Sequence, residues 1–214
     1  MILIGDVHGL YYGWRTILKG LYSPSITLGD IGFGFNKRED EKMLKYLQFH
    51  DMTDHHKFIR GNHDDPAVCR SMPNYLGDYG TFEYKGKTVF YLGGADSIDK
   101  ECRLPGVSWW EDEQLSMTQL QNAIDLYCVK NPDIVLTHEP PESIKQSMSM
   151  FREKFKSRTG QALQGMLEKH PPKLWVFAHM HVSWDETHKT YGTRAVGLDE
   201  LQEFDLDKAI REMK

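Results

Sequence analysis

The chain has 214 residues, 40% of them apolar and 27% charged, long enough for one well-buried domain and short for two. Its formal charge of -5 is small and mixed in sign, which argues against a broad grip on duplex nucleic acid while leaving room for a local basic patch. No apolar run nears the ~20 residues that span a bilayer, no secretory leader follows Met1, and Cys69, Cys102 and Cys128 lack metal-type pairing. A single domain over residues 1–214, reduced and cytoplasmic, is expected.

In chain order, Ile2-Leu3-Ile4 predicts a first strand running into Gly5-Asp6-Val7-His8-Gly9. Leu10 to Leu21 has near-helical apolar spacing and closes before Ser23-Pro24, where proline breaks a helix. Ile26-Thr27-Leu28 leads into Gly29-Asp30, and Glu39 to Phe49 puts Met43, Leu44 and Leu47 on one helical face. Phe58-Ile59 precedes Gly61-Asn62-His63-Asp64; the nearby His55-His56, with Asp51 and Asp54, reads as a solvated loop before that strand. A hairpin is expected from Thr81-Phe82-Glu83-Tyr84, a Lys85-Gly86 turn and Lys87 to Leu92. An irregular loop from Ala95 to Trp110 follows, its Trp109-Trp110 pair read as packing, and then a capping box, Ser116 with Gln119, opens a helix to about Val129.

Ile134-Val135-Leu136 runs to His138, Phe151 to His170 reads as an amphipathic helix stopped by Pro171-Pro172, and Leu174 to Phe177 leads to Ala178-His179-Met180-His181. Beyond Trp184, short segments near 185–187, 193–196 and 201–204 look antiparallel. The alternation predicts an α/β fold, two packed mixed β-sheets flanked by helices.

Five apolar runs thus each end in Asp, His or Asn, and residues past the carboxyl ends of parallel strands gather in one crevice. Imidazole and carboxylate together suit Mn, Fe, Zn, Co or Ni, whereas oxygen-only sets suit Mg or Ca. Asp6, His8 and His181 form one candidate ligand set and Asn62, His138 and His179 another, with Asp30 as a bridge. Two divalent ions so held would keep a formal positive excess, attract phosphate and activate a bridging hydroxide. Asp6 and Asp30 alone could be turn residues, and His138 alone a structural histidine; their joint position reverses that reading.

These blocks, Asp6-Val7-His8, Gly29-Asp30, Gly61-Asn62-His63-Asp64, His138 and Ala178-His179-Met180-His181, resemble the calcineurin-like metallophosphoesterase superfamily. The resemblance implies that ligand split, two divalent transition-metal ions with manganese the first choice, and hydrolysis of a phosphoester by a hydroxide bridging them. It leaves His63 off the metals, to protonate the leaving oxygen or stabilise the transition state. Asp64 either orients His63 or caps the following helix.

Two departures stand out. After Asp30 the chain reads Ile31-Gly32-Phe33-Gly34-Phe35, without the second Asp and the Arg of protein Ser/Thr phosphatases, and Ala178 replaces a glycine. Arg38, Lys100 and Arg103 are candidates for the lost phosphate contact, beside a solvated surface role for each. The expected substrate is small and soluble. A phosphodiesterase or nuclease acting on nucleic acid or a cyclic nucleotide, a protein phosphatase-like activity, and an inactive binding scaffold remain the alternatives. The Ala95–Trp110 loop is where substrate choice is expected to lie.

Overall fold

Alternation along each strand decides which layer its side chains join. The computed structural model describes residues 1–148 and 156–213. One sheet contains β1 (Ile2–Ile4), β2 (Ser25–Leu28), β3 (His56–Ile59) and β10 (Glu203–Asp205), in the order β10-β1-β2-β3. The other contains β4 (Tyr79–Tyr84), β5 (Lys87–Leu92), β6 (Ile134–Thr137), β7 (Leu174–Phe177), β8 (Trp184–Thr187) and β9 (Arg194–Gly197), in the order β4-β5-β6-β7-β9-β8. Strands β1, β2 and β3 are mutually parallel, as are β5, β6, β7 and β9, while β10, β4 and β8 pair antiparallel at the edges.

The inner face of the first sheet offers Leu3, Ile26, Leu28 and Ile59 to Val89, Tyr91, Ile134, Leu136, Leu174 and Val176 of the second. Residues of opposite parity face outward. Ile4 and Phe58 pack with Trp14 and Leu18 of α1 (Tyr11–Gly20), Met43 and Leu47 of α2 (Lys37–Phe49) and Cys69 of α3 (Pro66–Ser71). On the far side, Phe90, Val135, Trp175 and Phe177 pack with Leu120, Ala123 and Tyr127 of α4 (Met117–Lys130) and Leu163, Met166 and Leu167 of α6 (Arg158–Lys169). The result is four layers, helix, sheet, sheet, helix. Central parallel strands covered on both faces are mostly apolar, and the buried polar exceptions are hydrogen-bonded: Ser25 with His56, Thr27 with Trp14 and Thr137 with Trp175.

The expected capping box forms: the Ser116 hydroxyl accepts from the Gln119 N–H and the Gln119 side chain accepts from the Ser116 N–H. Other expectations change. The hairpin begins at Tyr79, and α6 begins at Arg158, with 151–155 lying outside the described residues. The segment at 194–197 is parallel to β7 and antiparallel only to β8, because a crossover carries the chain back beside β7. Two short helices, α5 (Glu142–Ser147) and α7 (Leu206–Glu212), were not foreseen. His56 is a buried strand residue paired with the Ser25 hydroxyl at 2.9 Å, whereas His55 is exposed. Among the described residues no helix is long and apolar enough to cross a membrane.

Candidate metal centre

Strands β1, β2, β3, β6 and β7 stop at Ile4, Leu28, Ile59, Thr137 and Phe177, and the chain turns sharply just beyond them. Four residues in these turns, His8, Asp30, His179 and His181, have left-handed backbones with φ of 46°, 46°, 66° and 49°. Two glycines allow the turns to approach each other. A Cβ on Gly29, itself at φ 106°, would overlap the His138 ring, and one on Gly61 would overlap the Asp30 carboxylate.

Two groups of ligand atoms result, each with its members within 4.8 Å of one another: Asp6, His8, Asp30 and His181, and Asp30, His138 and His179. Asp30 belongs to both. In the first, His8 Nε2 lies 2.9 Å from His181 Nε2 and 3.6 Å from Asp30 Oδ2, and His181 Nε2 lies 3.3 Å from Asp6 Oδ2. In the second, His138 Nε2 faces Asp30 Oδ1 at 3.3 Å and Asn62 Oδ1 at 3.1 Å. The backbone N–H of His179 donates to Asp6 Oδ2, and that of His63 to Asp30 Oδ1.

Hydrogen-bond direction tests whether cations fit. His138 Nδ1 lies 2.7 Å from the Leu28 carbonyl, so its proton is committed there, and Nε2 turns a lone pair toward two oxygens. Such an arrangement needs an added proton or a metal ion. Without metal it takes the proton: burial lowers the His138 pKa, but Asp30, Asp6 and the Leu28 carbonyl together outweigh burial and lift it to about 10. His181 Nδ1 likewise faces Glu200 Oε1 at 3.3 Å, leaving Nε2 for the centre, an orientation common for metal-binding imidazoles. Asp6 Oδ1 and Asp30 Oδ2 are buried without a hydrogen-bond donor. Burial raises the Asp6 carboxyl; in Asp30 burial is overcome by His138, His63 and His8 together, which hold the carboxyl low. His8 and His179 are both lowered, chiefly by burial, so their nitrogens are free to bind a cation. The donor set fits divalent metal ions.

His63 lies outside both groups, its ring 5.1 Å from that of His8. Burial lowers its pKa to about 4, with Asp30 opposing and Arg103 assisting. Arg103 Nη2 approaches His63 Nε2 at 2.6 Å and Nη1 approaches Nδ1 at 3.2 Å, while Phe35 stacks on the ring and packs edge-on to Trp110. The Ala95–Trp110 loop therefore reaches the site through Arg103, and Trp110 is a packing residue. Lys100 pairs with Asp96, and Arg38 is exposed on the first turn of α2. The basic residue lining the open cleft of about 770 Å³ beside His8 and His63 is Arg15, accompanied by Tyr12, Phe35 and Glu39.

Asp64 does neither job expected of it. Its carboxylate accepts from the N–H groups of Ile31, Gly32, Phe33 and Gly61, tying the turn after β2 to the turn after β3, while Asp65 caps α3. Burial, then Asp30, raises Asp64 to about 7 against those donors. Ala178 is buried between the sheets, where a methyl group is accommodated. Sequence reasoning missed Arg15, Ser97, Glu113 and Glu200, which stand in no recognisable block.

Residues 1–183 match the sequence model of the calcineurin-like phosphoesterase family. The strand-end centre and two-sheet fold agree with that match, and the chain belongs to this family, whose members are hydrolases acting on ester bonds. Comparison with curated protein sequences returns no match. Among solved structures, a candidate 5'-nucleotidase from Staphylococcus aureus, in complex with alpha-ketoglutarate, aligns with TM-score 0.58 at 16% identity over 97% of this chain and 51% of its own. The sulfate thiohydrolase SoxB of Thermus thermophilus aligns with TM-score 0.50 at 12% identity, over 92% of this chain and 38% of its own. This chain thus spans about half, or less, of the length of those two proteins, and the likeness is one of fold.

Proposed function

We propose that the protein is a metal-dependent phosphohydrolase acting on a small, soluble phosphoester. Asp6, His8 and His181 would hold one divalent ion and Asn62, His138 and His179 a second, with Asp30 shared. The observation that carries this reading is the meeting of Asp30, Asn62 and the His138 lone pair, three acceptors facing one point. Two ions there, manganese first and Fe, Zn, Co or Ni as alternatives, would activate water and neutralise phosphoryl charge.

The remaining work falls to side chains at the cleft. Arg103 is 2.6 Å from His63 Nε2. An arriving phosphate competes for that guanidinium, because a charge-assisted bond to an anion is stronger than one to a neutral imidazole. His63 is thereby released, takes a proton from solvent in the open cleft, favoured by the field of the bound anion, and delivers it to the leaving oxygen. The leaving group rests against Tyr12 and Phe35 in the cleft. Lys100, paired with Asp96, and the exposed Arg38 are left out of this scheme; Arg103 is paired with Asp99 through Nε but turns both Nη atoms to His63. All three cysteines are free, which fits the reducing cytoplasm.

The test is to load the purified protein with Mn²⁺, and in turn with Fe²⁺, Zn²⁺, Co²⁺ and Ni²⁺, and follow hydrolysis of an aryl phosphate monoester, an aryl diester and a panel of nucleotides, phosphopeptides and oligonucleotides. Metal-dependent turnover of a small ester is expected; no turnover with any of these metals would overturn the proposal.

A further inference from the structure

Resting on the metal-centre reading, we infer that Ser97 and Glu113 are positioning residues that fix which end of the Asn62 amide faces the metals. Asn62, Ser97 and Glu113 are 2%, 1% and 2% exposed, so water cannot replace a wrong hydrogen bond among them. Glu113 accepts twice: Oε1 from the Ser97 N–H at 2.9 Å and Oε2 from the Ser97 hydroxyl at 2.6 Å. With its proton committed to Glu113, the hydroxyl oxygen can only accept, and it accepts from Asn62 Nδ2 at 3.0 Å. Asn62 must therefore turn Oδ1 toward the centre, where it lies 3.1 Å from His138 Nε2. An amide has similar shape in both orientations but only one end can bind a cation, so this choice decides whether the position is a ligand at all.

The far end of this chain is anchored. Arg60, fully buried and two residues before Asn62, donates to the Glu113 carbonyl at 2.5 Å and to Asp78 at 2.8 Å. Ser97 comes from the loop that also carries Arg103, so that loop touches the centre at both Asn62 and His63.

Glu113→Gln is close to isosteric yet reverses the direction of donation. The Ser97 N–H keeps the glutamine oxygen at the Oε1 position, so the new amide nitrogen donates to the Ser97 hydroxyl. The hydroxyl proton, displaced from Glu113 in a buried site, then finds its acceptor at Asn62, whose oxygen turns away from the centre. In Asn62→Asp both terminal atoms are oxygens, and orientation ceases to matter.

The experiment titrates metal-free protein with Mn²⁺ calorimetrically and, by NMR, follows contacts between the Asn62 side-chain amide protons and the Ser97 β protons. Thermal unfolding checks that each variant is folded. Wild type is expected to bind two ions, and Glu113→Gln to weaken one of them about 10- to 100-fold, the usual effect of losing a group that orients a ligand. Asn62→Asp combined with Glu113→Gln is expected to bind two ions as tightly as Asn62→Asp alone, a rescue that a merely structural role would not give. Ser97→Ala, a smaller change, should also weaken one ion and lose the amide contact. Unchanged ion affinity together with unchanged amide contacts in both variants would overturn the assignment. If wild type binds no ion while Glu113→Gln still moves the amide contacts, the metal reading fails and the orienting role stands.

Discussion

Arg103 contacts both ring nitrogens of His63, and its charge is one cause of the low His63 pKa. Arg103→Ala should therefore move the His63 titration upward from about 4, seen by NMR in the metal-free protein; an unmoved midpoint would show that Arg103 does not contribute to it. In the loaded enzyme the same substitution should raise KM for a phosphoester. His63→Ala should leave both ions bound, because the ring belongs to neither ligand group, yet lower kcat by ~10²- to 10⁴-fold. Loss of the ions in that variant would contradict its proposed role. These two outcomes separate holding metal from moving a proton.

At the scale of elements, the site depends on turns locked to one another. Asp64 receives four backbone N–H groups from the turns after β2 and β3. Asp64→Ala would strand them in a buried region, at ~1–3 kcal/mol for each donor that finds no other partner. A loss of several kcal/mol in denaturant unfolding, together with weaker ion binding, is expected. Gly61→Ala should fold less stably and bind metal poorly, since its new methyl would overlap Asp30. The apolar runs that precede the candidate ligands were legible because strands covered on both faces are mostly apolar. The task of Asp64 was not legible, because it depends on which turn lies opposite, and local sequence offers capping as the nearer explanation. Ser97 and Glu113 were hidden for a related reason: each acts through a partner distant in the chain, and neither residue type is rare.

For the whole molecule, the two-sheet plan was readable in the alternation of strands and helices, but the place of β9 beside β7 was not. Strand direction there is set by the path of the crossover, which local apolar pattern does not encode. Between the sheets, Leu136→Ala should cost ~2–5 kcal/mol in chemical unfolding, because a fully buried site cannot collapse around the lost atoms. A more modest clasp joins α7 to the β4–β5 hairpin, where Asp207 accepts from Lys85 and Tyr84. Those partners overcome burial and lower its pKa to about 2. A folded pKa below the unfolded value of ~3.9 means that the clasp stabilises above that pH and fades as pH falls toward 2. Asp207→Asn should thus cost less than ~1 kcal/mol at pH 7, and the difference should vanish near pH 2 in paired unfolding curves.

The left-handed backbones at His8 and His181 imply a conflict between durability and purpose. Non-glycine residues held there cost of order 1–3 kcal/mol each. Glycine relieves that cost, although it gives back ~0.5–1 kcal/mol through the extra freedom of the unfolded chain. His181→Gly should accordingly melt higher than the parent when both are free of metal, and bind ions worse. A population of variants selected only for heat resistance would drift toward glycine at these turns and shed its chemistry while its architecture improved.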